Sequence, residues 1–173
     1  MTDHPSPVDN PSAPDSPAAI TRTSVLAFFA ADHAAVAPDA KVYVNGGFFN
    51  LLRFPAFPAT MPTLGIAVLL EMPFQDSMQD HRLRIVLRGP ELQELPVRVE
   101  AQFRTAPTLE SQFGEPHIVP FAVTISNVEF PTPGVYHLVL FLDNKEKMAY
   151  RLRAVQVPMA MSTGANPPNP GDS

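Results

Sequence analysis

Apolar and polar residues alternate most cleanly between Arg82 and Arg88, where Leu83, Ile85 and Leu87 face one way and Arg82, Arg84, Val86 and Arg88 the other. Successive side chains on a strand point to opposite faces, so a period of two predicts an antiparallel strand with one wet side. Gly89-Pro90 ends it, and a matching run follows from Val97 to Arg104, with Val97, Val99, Ala101 and Phe103 set against Arg98, Glu100, Gln102 and Arg104. The two read as a hairpin with matching wet faces. Val135 to Leu142, VYHLVLFL, is apolar on both faces instead, which puts it at the centre of a sheet. Asp143 to Glu146 supplies turn chemistry, and in the next arm Tyr150, Leu152 and Ala154 alternate with Arg151 and Arg153.

The remaining apolar runs are shorter or interrupted. Thr23 to Ala31 predicts a buried strand, with a short helix as the alternative. Asp32-His33 leads through a loop to the turn signal Pro38-Asp39. Lys41 to Leu52 predicts a strand broken by Gly46-Gly47, a pair that marks a bulge, a bend or a close backbone approach. Arg53 to Pro62 holds three prolines in ten residues and reads as an irregular, extended loop. Thr63 to Met72 is a long apolar strand. His117 to Val128 carries Pro120, which has no N–H for a ladder, so that strand belongs at an edge or on a bulge. The sum is an all-β domain of about eight strands without an amphipathic helix. The expected architecture is an antiparallel two-sheet β-sandwich, immunoglobulin-like or C2-like, with a closed barrel as the alternative.

Composition adds boundaries and exclusions. The chain has 173 residues, enough for one sizeable core, and 21 prolines. Residues 1–20 and 158–173 are polar and proline-rich, and are expected to be disordered tails flanking a domain at 21–157. Net charge is −5, but Asp3, Asp9, Asp15 and Asp172 lie in the tails, so the domain carries thirteen acids against all twelve bases. A near-neutral body lacks the basic footprint of a general nucleic-acid binder. There are no cysteines, which removes disulfides, thiolate metal sites and thiol nucleophiles. No run is long enough for a membrane helix and no basic-then-apolar start suggests a secretory signal, so a cytoplasmic location without membrane insertion is expected.

With the strands placed, Ser24 to Val157 resembles a family of small bacterial proteins of unknown function, common in actinobacteria. VLAFFAADHAAVAPDAKVYVNGGFF, TLGIAVLLEMPF, HRLRIVL and PGVYHLVLFLDN carry the resemblance, Asp32-His33-Ala34 and Gly46-Gly47 being its more distinctive parts. The resemblance implies a β-sandwich and brings no assigned activity, so it transfers no catalytic residues.

Candidate chemistry is sparse. Asp32, His33 and Asp39 cluster within eight residues and are weak ligand candidates for a metal or a proton, yet no H-x-H or H-x-x-x-H spacing completes a set, and the plainer reading is that they shape a loop. Asp76, Asp80 and Asp143 fall in inter-strand loops, too thinly for a calcium cage of six or more oxygens. Arg82, Arg84, Arg88, Arg98 and Arg104 outline a basic wet face and a candidate polar surface, which Glu100 and its neighbours partly neutralise. Phe48, Phe49, Phe54 and Phe57 with Met61 form either an exposed apolar ridge, hence a candidate interface, or a lid folded on the core. No G-x-S-x-G or phosphate-binding loop is present. The expected function is therefore a non-enzymatic interaction module or accessory subunit without cofactor, acting on itself or another protein. The alternative is a small-ligand or metal-binding sandwich using loop Asp and His residues.

Overall fold

A computed structural model describes residues 22–106 and 115–158. The tails expected at 1–20 and 158–173 lie outside the described residues, Pro158 excepted. Ten strands account for most of the described chain: β1 (Ser24–Ala31), β2 (His33–Val36), β3 (Val42–Asn45), β4 (Leu51–Phe54), β5 (Ala59–Met72), β6 (Asp80–Arg88), β7 (Glu94–Arg104), β8 (His117–Phe130), β9 (Gly134–Leu142) and β10 (Lys145–Gln156). A 3₁₀ turn at Phe74–Asp76 is the one helical element among the described residues, and no helix there is long and apolar enough to cross a membrane.

The strands form three sheets: β1-β5-β8, β4-β10-β9-β6-β7 and the small hairpin β2-β3. The protein is all-β, but the expectation of about eight strands in two sheets is corrected to ten in three. His33–Val36, read as loop, pairs as β2 with β3 from His33↔Asn45 to Val36↔Val42. The run from Lys41 to Leu52 splits into β3 and β4, because Gly46 and Phe48 adopt positive φ (61° and 66°) and turn the chain out of register. The proline-rich stretch is also more regular than expected, since Ala59–Met61 pairs with Val128–Phe130 at the start of β5. Side-chain alternation at those positions was hidden by the prolines.

β9 is the central strand of the five-stranded sheet and β8, with Pro120, is an edge of the three-stranded one. β9 and β10 meet at Asp143-Asn144, both at positive φ (51° and 62°), the conformation that matches a two-residue hairpin loop to strand twist. One core cluster joins the larger sheets, drawing Leu64, Ile66 and Leu70 from β5, Leu83, Ile85 and Leu87 from β6, and Leu138 and Leu140 from β9. Tyr136 is fully buried there, and its hydroxyl donates to the Thr132 carbonyl at 2.5 Å while accepting the Thr132 N–H at 3.2 Å. A buried phenol needs such a partner, and this one ties β9 to the turn before it.

The hairpin β2-β3 rides on β5 and β8. Gly65 makes this possible: a Cβ there would fall 2.7 Å from the Ala34 nitrogen and 2.7 Å from the His33 carbonyl carbon. Thr124 on β8 completes the seat, accepting the Ala34 N–H and donating to the Ala34 carbonyl, both at 3.0 Å.

Candidate functional site

Of the apolar ridge, Phe48 is the exposed member, at 72%. Its ring stacks on Phe29 with centroids 3.9 Å apart, and its N–H donates to the Ala30 carbonyl at 2.9 Å. Val44 lies on the same side, because a Cβ on the intervening Gly47 would touch both Val44 and the Phe29 ring. Tyr43, on the opposite face of the hairpin by strand alternation, is 57% exposed. Phe49, Phe54, Phe57 and Met61 are partly buried against the core, Phe54 contacting Phe57 and Phe130 at centroid distances of 5.5 Å. The ridge thus divides into a lid and one displayed ring.

Phe48 holds φ at 66°, where a bulky L-residue pays a steric cost of about 1–2 kcal/mol. A ring that is mostly in water recovers little of this by burial. Strain at an exposed aromatic is a pointer to use.

Asp32, His33 and Asp39 do not converge. Asp32 lies against Gly46, His33 Nδ1 sits 3.0 Å from Thr124 Oγ1, and Asp39 pairs with Lys41 at 2.7 Å by the β2-β3 turn. The Lys41 ammonium holds the Asp39 carboxyl below its usual range. No group of three or more His, Asp or Glu capable of holding a metal occurs among the described residues.

The arginine face is a network. Glu100 binds Arg82 at 2.7 Å and also Arg98, while Glu94 lies 3.7 Å from Arg84 and 4.0 Å from Arg88. Hydrogen bonds from the Arg82 guanidinium and then the Arg98 guanidinium, helped by their charge, hold the Glu100 carboxyl below its usual range. Arg84 and Arg88 also roof the Phe141 ring, their guanidinium carbons 4.0 and 5.6 Å from its centroid. That ring belongs to a small apolar cluster with Val86 and Val139 on the outer side of β6 and β9. Arg104 has no ion partner among the described residues and lines an open groove of about 580 Å³ with His81, Phe103 and Asp143.

That groove holds an arrangement missed in the sequence. His81 is buried, with Nδ1 2.9 Å from Asp143 Oδ2 and Nε2 2.9 Å from the Asp76 carbonyl. Both partners are acceptors, so both contacts are hydrogen bonds only when both ring nitrogens carry protons. Burial opposes the charge, but the Asp76 carbonyl and the Asp143 carboxylate outweigh it and raise the His81 pKa. Asp143 is lowered in turn: burial opposes this, and the Arg82 N–H at 2.9 Å and His81 prevail. Asp76 Oδ2 further accepts from the Thr23 hydroxyl at 2.6 Å. With neither nitrogen free, His81 is occupied as a tie between the 3₁₀ turn, β6 and the β9-β10 turn. Residues 62 apart offer no spacing signal, so only the fold could bring them together.

A family model described as a family of unknown function (DUF6941) matches residues 26–155. No match was found among curated proteins. Among solved structures, a β-glucosidase from Listeria innocua in complex with isofagomine shows 8% identity and a TM-score of 0.38, over 64% of this chain and 15% of that one. The same enzyme in complex with glucose gives 9% identity and a TM-score of 0.37, again over 64% and 15%. The chain spans about 15% of the length of these enzymes, and the likeness says nothing of its activity.

Proposed function

We propose that this chain, which belongs to the DUF6941 family of unknown function, is a non-enzymatic protein-contact module whose partner surface is the β2-β3 hairpin and its Phe48 flank. The observation that carries the reading is Phe48: 72% exposed, at a strained φ, and pinned by the Phe29 stack and the Ala30 carbonyl. Aromatic anchors at the centre of an interface carry much of its energy, and a ring already fixed loses little rotamer freedom on binding. The chemistry it fits is an apolar cleft on another protein, with Val44 as the flanking contact. A cytoplasmic setting goes with this reading, since nothing in a cysteine-free chain calls for an oxidising compartment.

The larger sheets are read as the two layers of an immunoglobulin-like sandwich. Support comes from the shared core and from Tyr136, whose hydroxyl bonds back to the backbone four residues upstream, as in the tyrosine corner of such domains. Support for a non-catalytic role comes from His81, whose two nitrogens are both engaged.

The test is quantitative capture from lysate with the full chain, Phe48→Asp and a control, Leu92→Asp, at another exposed apolar position. A partner retained by the parent and the control but lost from Phe48→Asp supports the reading. Identical retrieval by all three overturns it.

A further inference from the structure

We infer that β7 is a self-pairing edge, through which two copies of this chain join their five-stranded sheets antiparallel about a twofold axis at Val99. This uses a different surface from the Phe48 patch and stands apart from that reading.

β7 ends its sheet, with β6 on one side and no strand among the described residues on the other. The direction of its free hydrogen-bonding groups follows from its neighbours. The Arg82 carbonyl accepts the Asp143 N–H at 2.9 Å, so even-numbered residues of β6 bond toward β9 and odd-numbered ones toward β7. Leu83 and Ile85 therefore bond Ala101 and Val99, their partners in register. The N–H and C=O groups of Arg98, Glu100, Gln102 and Arg104 are left pointing outward. An antiparallel pair must match these even positions with even positions.

Few registers satisfy that rule, and charge separates them. With the axis at Val99, Arg98 faces Glu100 of the second copy within the regular part of the ladder. Arg104 comes to its Glu94 beyond the two-residue slip that β7 makes against β6 between Arg98 and Glu94, and symmetry repeats both pairs. The inward row matches as well: Val99 on Val99, Val97 on Ala101 and Leu95 on Phe103. An axis at residue 98 would set Arg98 on Arg98, at 100 Glu100 on Glu100, and at 101 Arg98 on Arg104. Opposite charges directly across a pair stabilise and like charges destabilise. Axes at 96 and 102 also set Glu on Arg but overlap only residues 94–98 or 100–104, whereas the axis at Val99 overlaps all 11 residues of β7. Charge and length together single it out. Pro96 opposite Gln102 forgoes one ladder bond near each end, a small loss at a strand edge.

A second observation agrees. Beside the same edge an apolar slot of about 220 Å³ opens between the sheets, with Val99, Ala101, Phe121 and Val123 at its sides and Leu83 and Ile85 among its buried lining. A second β7 laid along the first directs its own Val97, Val99 and Ala101 to the side on which the slot opens. The charge register and the slot select the same occupant, a second copy of this chain.

The full chain should sediment as a dimer of twice its 18.9 kDa mass. Arg98→Glu or Glu100→Arg alone turns two attractive pairs repulsive and should weaken dimerisation about tenfold, while the double swap should restore it to within about threefold. Because the chain has no cysteine, Val99→Cys provides a direct probe. Residues facing each other at a non-hydrogen-bonded position lie about 4.5 Å apart at Cα, within disulfide reach. Mild oxidation should cross-link Val99→Cys and leave Ala101→Cys, which faces Val97, largely unlinked. A strict monomer at about 100 µM, equal cross-linking at both positions, or charge variants that dimerise like the parent would each overturn the inference. Phe48→Asp should leave the dimer unchanged, so failure of the hairpin reading and failure of this one are told apart.

Discussion

Gly65→Ala should unseat the β2-β3 hairpin while leaving the five-stranded sheet in place. A Cβ at residue 65 meets both atoms of the His33–Ala34 peptide bond, Ala34 N and His33 C, at 2.7 Å. Ordinary contact requires near 3.4 Å or more, and backbone cannot rotate away as a side-chain tip can, so β2 must lift by several tenths of an ångström. Both Ala34–Thr124 bonds are 3.0 Å long in the native seat and cannot survive that shift intact. Ala34, 2% exposed, is uncovered in the same movement. Two hydrogen bonds at about 1 kcal/mol each, plus this small apolar loss, give about 2–3 kcal/mol. For a domain of this size that is roughly 6–12 °C in Tm. Urea and thermal unfolding of the full chain measure it. Thr124→Val, which deletes the hydroxyl and keeps the branch, should cost about 2 kcal/mol. The double variant should fall well short of additive, because both substitutions break one seat. A loss below about 0.5 kcal/mol for Gly65→Ala, or full additivity in the double variant, would show that β2 is not seated through Gly65 and Thr124.

Three further outcomes follow from the same structure. Tyr136→Phe removes a buried hydroxyl that donates at 2.5 Å and leaves the Thr132 carbonyl unpaired; chemical denaturation should show a loss of about 1–2 kcal/mol. Phe48→Asn, a residue that tolerates positive φ, should change stability by no more than about 0.5 kcal/mol while abolishing partner capture. The raised His81 pKa makes folding favour the imidazolium, so its contribution is fully present below the unfolded value near 6.5 and fades as pH rises through the higher folded value. Melting temperature should therefore decline from about pH 6 to 8, and His81→Asn should flatten that slope; the lowered Asp143 contributes the reverse loss as pH falls below the ordinary carboxylate range.

Where side chains alternated without interruption, the architecture was legible. The β6 and β7 pair and the central place of β9 followed from period two and from an apolar run on both faces, and Pro120 marked an edge because a missing N–H is a local fact. The second strand region was misjudged because short strands carry too few residues to show a period: β2 and β3 have four each. The regular start of β5 was masked by Pro62, whose lack of an N–H a strand can absorb where no partner needs it. Among the candidate residues, Phe48 is named with the whole ridge, and nothing local marks it as the exposed member. The separation of Phe54 and Phe57 into the lid was not legible either, since burial depends on which sheet closes over them. The His81–Asp143–Asp76 tie joins strand β6 to two turns at a sheet end, and no local pattern encodes it.

The pairing of β4 with β10 bears on how the chain acquires its fold. It is parallel, with Leu51 opposite Arg153 and the Phe54 carbonyl receiving the Val157 N–H at 2.9 Å. A chain emerging in order from the ribosome presents β4 early and its ladder partner last, so this seam closes only when synthesis of the domain is almost complete. β1 waits likewise for β5, and β5 for β8, whereas the β6-β7 and β9-β10 hairpins can form as soon as they appear. Loop closure over about a hundred residues slows folding far more than it alters final stability. Until β10 arrives, the exposed groups of β4 and the apolar side of β9 remain open to neighbouring nascent chains, and that interval is when aggregation competes with assembly.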